Sequence, residues 1–322
     1  MSDTRRPSIA LAIVVTVGLA TWAAATPRML RPSAARTSNA CKASTDAAFT
    51  ACQLEARSDK ALAQGKCANL PDRTASKTCK EQASAEAKDA LDGCKAQRGA
   101  RRAVCDRLGP APFAPAIDPA SFTTTIDNPF FPLVPGTTFV YEGQTAEGLE
   151  HDELAVTRNT KVILGVTCVE VRDVVTVDGE VTEDTLDWFA QDRAGNVWYF
   201  GENSKQLAGG LIVGLEGSWT AGVDGAEPGI VMEAHPAIGD FYRQEFLLKD
   251  AEDLAEVVSL TESVTVPLRA APFDKCLETK ETSPLEPDAA ENKLYAAGVG
   301  NLLTVDLVTG ERSELVQIIP PA

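Results

Sequence analysis

The stretch at residues 184–202, DTLDWFAQDRAGNVWYFGE, reads as two short aromatic and β-branched runs broken by Arg193, Ala194, Gly195 and Asn196. Such runs on either side of a Gly- and Asn-bearing break specify an antiparallel hairpin. Alternation along the first run puts Trp188 with Ala190 on one face and Phe189 with Asp187 on the other. The texture repeats outward: about eleven candidate strands run from Thr138–Tyr141 to Ser313–Ile318, punctuated by turn pairs such as Asp178-Gly179 and Thr309-Gly310. Helical patterns do not alternate with them, which argues against a parallel nucleotide-binding sheet. The expected architecture for residues 126–322 is mainly β, one large curved antiparallel sheet built as a half-barrel or a sandwich. A helical turn is expected only at Ala251–Ala255.

Upstream, residues 108–125 form a Pro-rich linker, and before it the texture changes again. Six of the eight cysteines fall at Cys41, Cys52, Cys67, Cys79, Cys94 and Cys105. Their spacing is a palindrome, and the nested pairs Cys41–Cys105, Cys52–Cys94 and Cys67–Cys79 share one position sum, the mark of antiparallel pairing. The intervening residues are mostly Ala, Lys, Glu, Gln and Arg, all good helix formers, with Pro71 beside Asn69 and Asp72 at the centre. At 100° per residue, the two spacings return a side chain to within about 20° and about 60° of its starting direction. Residues 41–107 therefore read as a helical hairpin whose cysteines all face the partner helix. A Cys-rich metal site is disfavoured because close cysteine pairs and neighbouring histidines are missing from the segment. The remaining two cysteines, Cys168 and Cys276, sit in candidate strands, and a bridge between them across the sheet is the natural expectation.

At the N-terminus Arg5 and Arg6 precede an apolar run from Ile9 to Ala25, which reads as a signal peptide (1–25) followed by a disordered spacer (26–40). An uncleaved anchor is the alternative, and it is the only expected route to the membrane. Cysteines in an exported chain are expected to pair, which agrees with the hairpin reading.

Residues 128–136, NPFFPLVPG, together with Tyr141-Glu142-Gly143, the DWFAQD and GNVWYFGE segments, and Tyr295 to Gly300, resemble a family of exported bacterial β-rich proteins of unassigned function. The resemblance spans about residues 126–318. It departs from the family at Ala297, where Pro is more usual. More distantly, the order of elements resembles half-barrel lipoprotein carriers that shield apolar ligands, which implies a ligand cavity; neither resemblance carries a catalytic residue over to this chain.

The chain carries 30 Lys plus Arg against 46 Asp plus Glu, a net charge of -16. The hairpin is mildly basic, with 13 basic and nine acidic residues from Cys41 to Arg107, whereas residues 109–322 hold 36 acidic and 12 basic. Nucleic acid is a poor partner for such a surface, because counterion release needs clustered positive charge. Cations or basic partners are attracted instead.

For a ligand surface the candidates are Trp188, Trp198, Tyr199 and Trp219, against the reading in which strand aromatics are simply core. Two carboxylates, Glu183 and Asp187, with His151, are the hydrolase candidates, although a solvated face is the favoured reading of them. Neither His151 nor His235 has a zinc-ligand spacing, and Ser218 lacks a nucleophile-elbow setting. The Gly-rich run from Gly209 to Gly229 has no Lys-Ser or Lys-Thr after it and is read as a lid or a long loop. No catalytic residue, metal or cofactor is assigned. The expected function is an exported binding domain for a small apolar ligand or an exported protein partner. The alternative is an envelope structural or interaction protein.

Overall fold

The computed structural model describes residues 39–322, so the signal-peptide reading and most of the spacer lie outside the described residues. Two helices come first, α1 (Ala40–Ala68) and α2 (Arg73–Leu108). The side chain of Asn39 accepts the Lys42 N–H and that of Asp72 accepts the Ala75 N–H, so each helix starts on a capping oxygen. All three nested disulfides form, with Cα–Cα distances of 5.7, 5.8 and 5.5 Å. Between the bridges the contact is made by small residues, Ala48, Ala56, Ala83 and Ala87, each buried. Alanines bury little area, so at roughly 2–4 kcal/mol each the bridges hold this hairpin together.

A 3₁₀ turn (Pro119–Ser121) and strand β1 (Phe122–Thr123) lead into an antiparallel meander: β2 (Thr138–Gln144), β3 (Leu149–Ile163), β4 (Val166–Val177), β5 (Glu180–Asp192) and β6 (Val197–Asn203). An excursion follows through β7 (Gln206–Ala208), β8 (Leu211–Gly214) and β9 (Trp219–Thr220). The chain then returns as β10 (Glu227–Met232), β11 (Phe241–Arg243) and β12 (Glu245–Phe246). A second meander completes it: β13 (Leu254–Val264), β14 (Phe273–Ser283), β15 (Glu286–Ala296), β16 (Gly300–Asp306) and β17 (Arg312–Ile319). β17 pairs with β2, and β10 pairs with both β6 and β12 while β11 pairs with β13. The curved sheet thus goes nearly all the way round into a barrel.

Each of the expected strands is present with its ends shifted, except that Tyr242–Leu248 is split at Gln244 into β11 and β12 and stops at Phe246. The sequence reading misses the short strands β1, β7, β8 and β9, and also β10, hidden in the Gly-rich run by Pro228 and Gly229. At Gly229 a Cβ would lie 2.4 Å from the Arg243 carbonyl oxygen, so the close backbone approach that shuts the barrel demands glycine. The helical turn expected at Ala251–Ala255 is not formed. Leu247 and Ala251 bridge to each other there, and Leu254 already belongs to β13.

The Cys168–Cys276 bridge is also absent: both cysteines are free and buried. β4 and β14 stand on opposite walls of the barrel, five strands apart by way of β3, β2, β17, β16 and β15. Cys168 packs in an outer cluster with Trp188 and Phe200, and burial pushes its thiol up to about 12. Cys276 belongs to the main apolar cluster.

The hairpin and barrel form one compact unit. Arg101 on α2 is buried and meets Glu252 through its Nε and Nη2, at 2.9 and 2.7 Å. Arg107 pairs with Glu256, Lys249 with Glu55, and the Gln97 side chain donates to the Leu285 carbonyl. Across the Pro-rich stretch, Phe113 packs edge-on against Phe246 on the barrel wall.

Candidate functional site

One end of the barrel is closed by the segment that carries the first family-like motif. Asn128 donates to the Gly195 and Glu233 carbonyls and accepts the Phe130 N–H, while Gln191 accepts the Asp127 and Asn128 N–H groups. Gly298 donates to the Pro129 carbonyl at 2.7 Å. The three motif stretches therefore meet around a plug, with Ile126, Leu133 and Phe139 buried in the core below. Their job is to floor the barrel.

Above the floor lies a cavity of about 370 Å³. Its walls follow from strand register. Asp152 and Leu154 on β3 share the inner face with Asp173 on β4, because Leu154 lies opposite Asp173 and Asp152 opposite Val175. Val171 lies opposite Asp187, which brings Asp187 and Phe189 to the same face. β6 then breaks its alternation: Trp188 pairs with Gly201 but Phe189 pairs with Tyr199, leaving Phe200 as the bulged residue. The bulge turns both Tyr199 and Glu202 inward and Phe200 outward. Gly201 makes it possible, since it has φ +141° and a Cβ there would meet the Trp219 carbonyl oxygen at 2.5 Å. From the second meander come Glu281, Lys293, Tyr295, Asn301, Thr304 and Ser313, and β12 with its following loop adds Glu245 and Asp253.

The lining is aromatic and acidic. Phe189 and Tyr199 stack with centroids 4.8 Å apart, Phe131 meets Phe189 edge-on, and Tyr141 and Tyr295 complete the aromatic wall. Seven carboxyl groups face one ammonium, that of Lys293. A second depression of about 400 Å³ shares Glu202, Glu245, Asp253 and Glu281 with the cavity and extends it outward past the exposed Glu286.

Three carboxyl pairs organise this interior. Burial and the charge of Asp173 push Asp152 up to about 9, and burial raises Asp173 against the lowering effect of a hydrogen bond from Asp152; the Oδ1 atom of each closes no hydrogen bond. The Tyr199 hydroxyl lies 2.5 Å from Asp187 Oδ1 and 3.0 Å from Glu202 Oε2. A phenol has one proton to donate, so the trio is complete only when a carboxyl supplies another. Accordingly, burial and neighbouring carboxylates raise Asp187 well above its usual range and Glu202 to about 7. Glu245 is only 7% exposed and, like Asp253 beside it, is raised chiefly by burial. The Trp219 indole N–H lies near enough to Glu245 to ease its ionisation slightly, yet closes no hydrogen bond.

Of the sequence candidates, Tyr199 lines the cavity, and Trp219 supports it edge-on from outside at 5.3 Å. Trp188 packs in the outer cluster under the Lys161 ammonium, and Trp198 donates its indole N–H to Asp192. Both faces of the 184–202 hairpin are covered, one by the cavity wall and one by that outer cluster. Asp187 is in the cavity. Glu183 lies outside its lining, accepting from the Thr185 and Ser204 hydroxyls, and His151 stands half-exposed between Glu142 and Glu153. The hydrolase set is therefore not assembled around one cleft. Among the described residues, no group of three or more His, Cys, Asp or Glu is placed to hold a metal ion.

No protein-family model and no curated protein matches the sequence, so the family likeness rests on the motifs themselves. Among solved structures, a candidate lipoprotein from Parabacteroides distasonis ATCC 8503 aligns with 59% of this chain and 98% of its own, at 16% identity and a TM-score of 0.33. A likeness at that level transfers neither ligand nor role. No helix among the described residues is long and apolar enough to cross a membrane.

Proposed function

We propose that this is an exported, non-catalytic binding protein that holds a small molecule inside its barrel. The observation that carries the reading is the cavity, whose size falls at the small end of the roughly 300–1,000 Å³ typical of small-molecule sites. Its floor is built from hydrogen-bonded motif residues and its walls from rigid strands, a pre-formed arrangement that costs little ordering on binding. The three disulfides support export, because such bridges persist in oxidising compartments. A purely apolar ligand, as the carrier likeness implies, suits the aromatic wall but leaves the carboxyls unpaired.

Native mass spectrometry of the protein purified from its own exported fraction tests the reading. A co-purifying mass is expected, lost on unfolding and absent from a Thr304→Trp variant that fills the cavity. A bare polypeptide, or a ligand retained by the filled variant, overturns it.

A second reading, contact with another exported protein, draws on the tip of the β7–β8 hairpin. Leu211, Ile212 and Val213 are 72%, 57% and 67% exposed there. An apolar patch of that kind marks a contact surface more often than bare solvent exposure. Loss of a co-purifying protein in a Leu211→Ser, Val213→Ser variant supports this reading, and an unchanged set of partners removes it.

A further inference from the structure

The barrel's one internal ammonium shows how its walls treat a cation. Lys293 Nζ lies 2.9 Å from Glu281 Oε2 and 2.8 Å from Glu291 Oε1, in a cavity wall that also carries Tyr295. Burial works against that charge, but Glu281 and Glu291 outweigh it and hold the ammonium well above the ordinary lysine range. An ammonium between two carboxyls is therefore a motif this interior already contains.

The same arrangement occurs around the cavity with its ammonium missing. Asp152 with Asp173, Asp187 with Glu202, and Glu245 with Asp253 are carboxyl pairs, and among the described residues none of the six makes an ion pair. Tyr199 and its stacked partner Phe189 stand beside the second pair. Asp152 Oδ1 and Asp173 Oδ1 add a separate sign of an absent partner: both are buried atoms in the cavity lining that close no hydrogen bond, and Glu245, more than nine-tenths buried, lines the same cavity without an ion-pair partner among the described residues. Burying an acid without a partner costs several kcal/mol, a cost that a bound cation would offset. An anion would meet like charge from every wall. A metal ion needs several oxygens converging on one point, and no three of these groups do so among the described residues. An elongated organic cation can instead reach separate pairs while its methylenes lie on the aromatic wall.

Resting on the binding reading above, we infer that the ligand is an organic polycation, a linear di- or triamine, with each ammonium seated between two carboxyls and its methylene chain against Phe189, Tyr199 and Tyr295.

The test is isothermal titration of the full chain at pH 8 with 1,4-diaminobutane and with a linear triamine, beside 1,4-butanediol and calcium chloride. Saturable binding of an amine, with none of the equally long diol, is expected. Asp152→Asn with Asp173→Asn, and separately Glu245→Gln, should weaken it about ten- to a hundredfold, the worth of a charge-assisted hydrogen bond. These variants should fold, since each removes a buried acid that has no ion-pair partner among the described residues, and an unchanged or raised melting temperature without ligand checks this. Binding of the diol as tightly as the diamine, or of calcium alone, overturns the inference. So does amine binding that the carboxyl variants leave untouched. A neutral or anionic co-purifying ligand that the Thr304→Trp variant loses also overturns it, while leaving the binding reading intact. Absence of any ligand in every arm removes both.

Discussion

The hairpin and the barrel solve the same problem by opposite means. In the hairpin, 29- and 36-residue helices meet through alanines and are joined covalently at three levels. The barrel has no disulfide among the described residues; its strands run around a nearly closed circuit of backbone hydrogen bonds. The covalent solution leaves a seam of small side chains, Ala48, Ala56, Ala83 and Ala87, between the two helices. The hydrogen-bonded solution leaves an interior wide enough to place charged side chains opposite each other. A small module spends its stability on existing, whereas a large closed sheet has a surplus to spend on unfavourable buried acids.

The largest way to break this comparison is to reduce the chain. Loss of all three bridges, at about 2–4 kcal/mol each, should melt the hairpin while the barrel keeps its fold. Circular dichroism should lose the helical minimum at 222 nm as tryptophan fluorescence stays native. Simultaneous loss of both signals would mean that barrel and hairpin are one cooperative unit and that the contrast is false.

Next in size is the buried joint between them. Arg101→Met leaves Glu252 buried without its main partner, a change worth about 3–5 kcal/mol in general. The lower end applies here, because Glu252 also accepts the Lys249 N–H and Arg243 lies nearby. Hydrogen exchange should then show α2 exposed along the face that carries Gln97 and Arg101. Unchanged protection there would mean that the surface pairs Arg107–Glu256 and Lys249–Glu55 are enough to dock it.

How much of this was legible in the sequence differs between the two regions for the same physical reason. The hairpin's pairing is written in six cysteine positions, because a regular helix converts spacing directly into direction. The barrel's long strands were legible from alternation and turn pairs, whereas the motifs at Asn128–Gly136 and Asp187–Glu202 carried a resemblance but not the floor they build. Nor was the site legible. Its residues run from Phe131 to Ser313 and meet only through register, and two of them, Tyr199 and Glu202, face inward because of a bulge at Phe200. Period-2 reasoning sets those two on opposite faces. Aromatic content pointed to Trp188 and Trp198, which pack on the outer wall. The acidity of residues 109–322 was legible as a count, but not that seven of the carboxyls turn inward.

The barrel's buried acids give it a pH dependence opposite in sign to that of the hairpin, where Arg98 holds Asp46 low and Lys95 and Lys88 hold Asp92 low. Asp152 and Asp173 face Glu150, Glu183 and Lys293 as well as each other; Glu202 faces Tyr199, Asp187, Glu183 and Asp253. An acid that holds its proton more tightly when folded stabilises the fold fully below its unfolded value and loses that stabilisation as the pH rises through its folded value. For Asp152 the window runs from 3.8 to about 9, and for Glu202 from 4.5 to about 7. Ligand-free barrel should therefore melt lower at pH 9 than at pH 5, by about 2–4 °C for each kcal/mol lost. The slope should flatten in Asp152→Asn. A melting temperature that rises over this range would mean that the pairs are solvated and ionised.

The smallest effect sharpens the comparison most directly. Cys168→Ala and Cys276→Ala should each cost only about 1 kcal/mol, the loss of one buried heavy atom, because neither sulfur is bonded to another. Consistent with that, the intact chain should be six hydrogens lighter than its reduced form, and alkylation in denaturant without reductant should add two groups. A loss of eight hydrogens would require β4 and β14 to come within about 7 Å of each other at these cysteines. Those strands form opposite walls, so such a bridge would collapse the interior that separates them. An open cavity and two free thiols are then the same fact about the barrel, one read from its centre and the other from its walls.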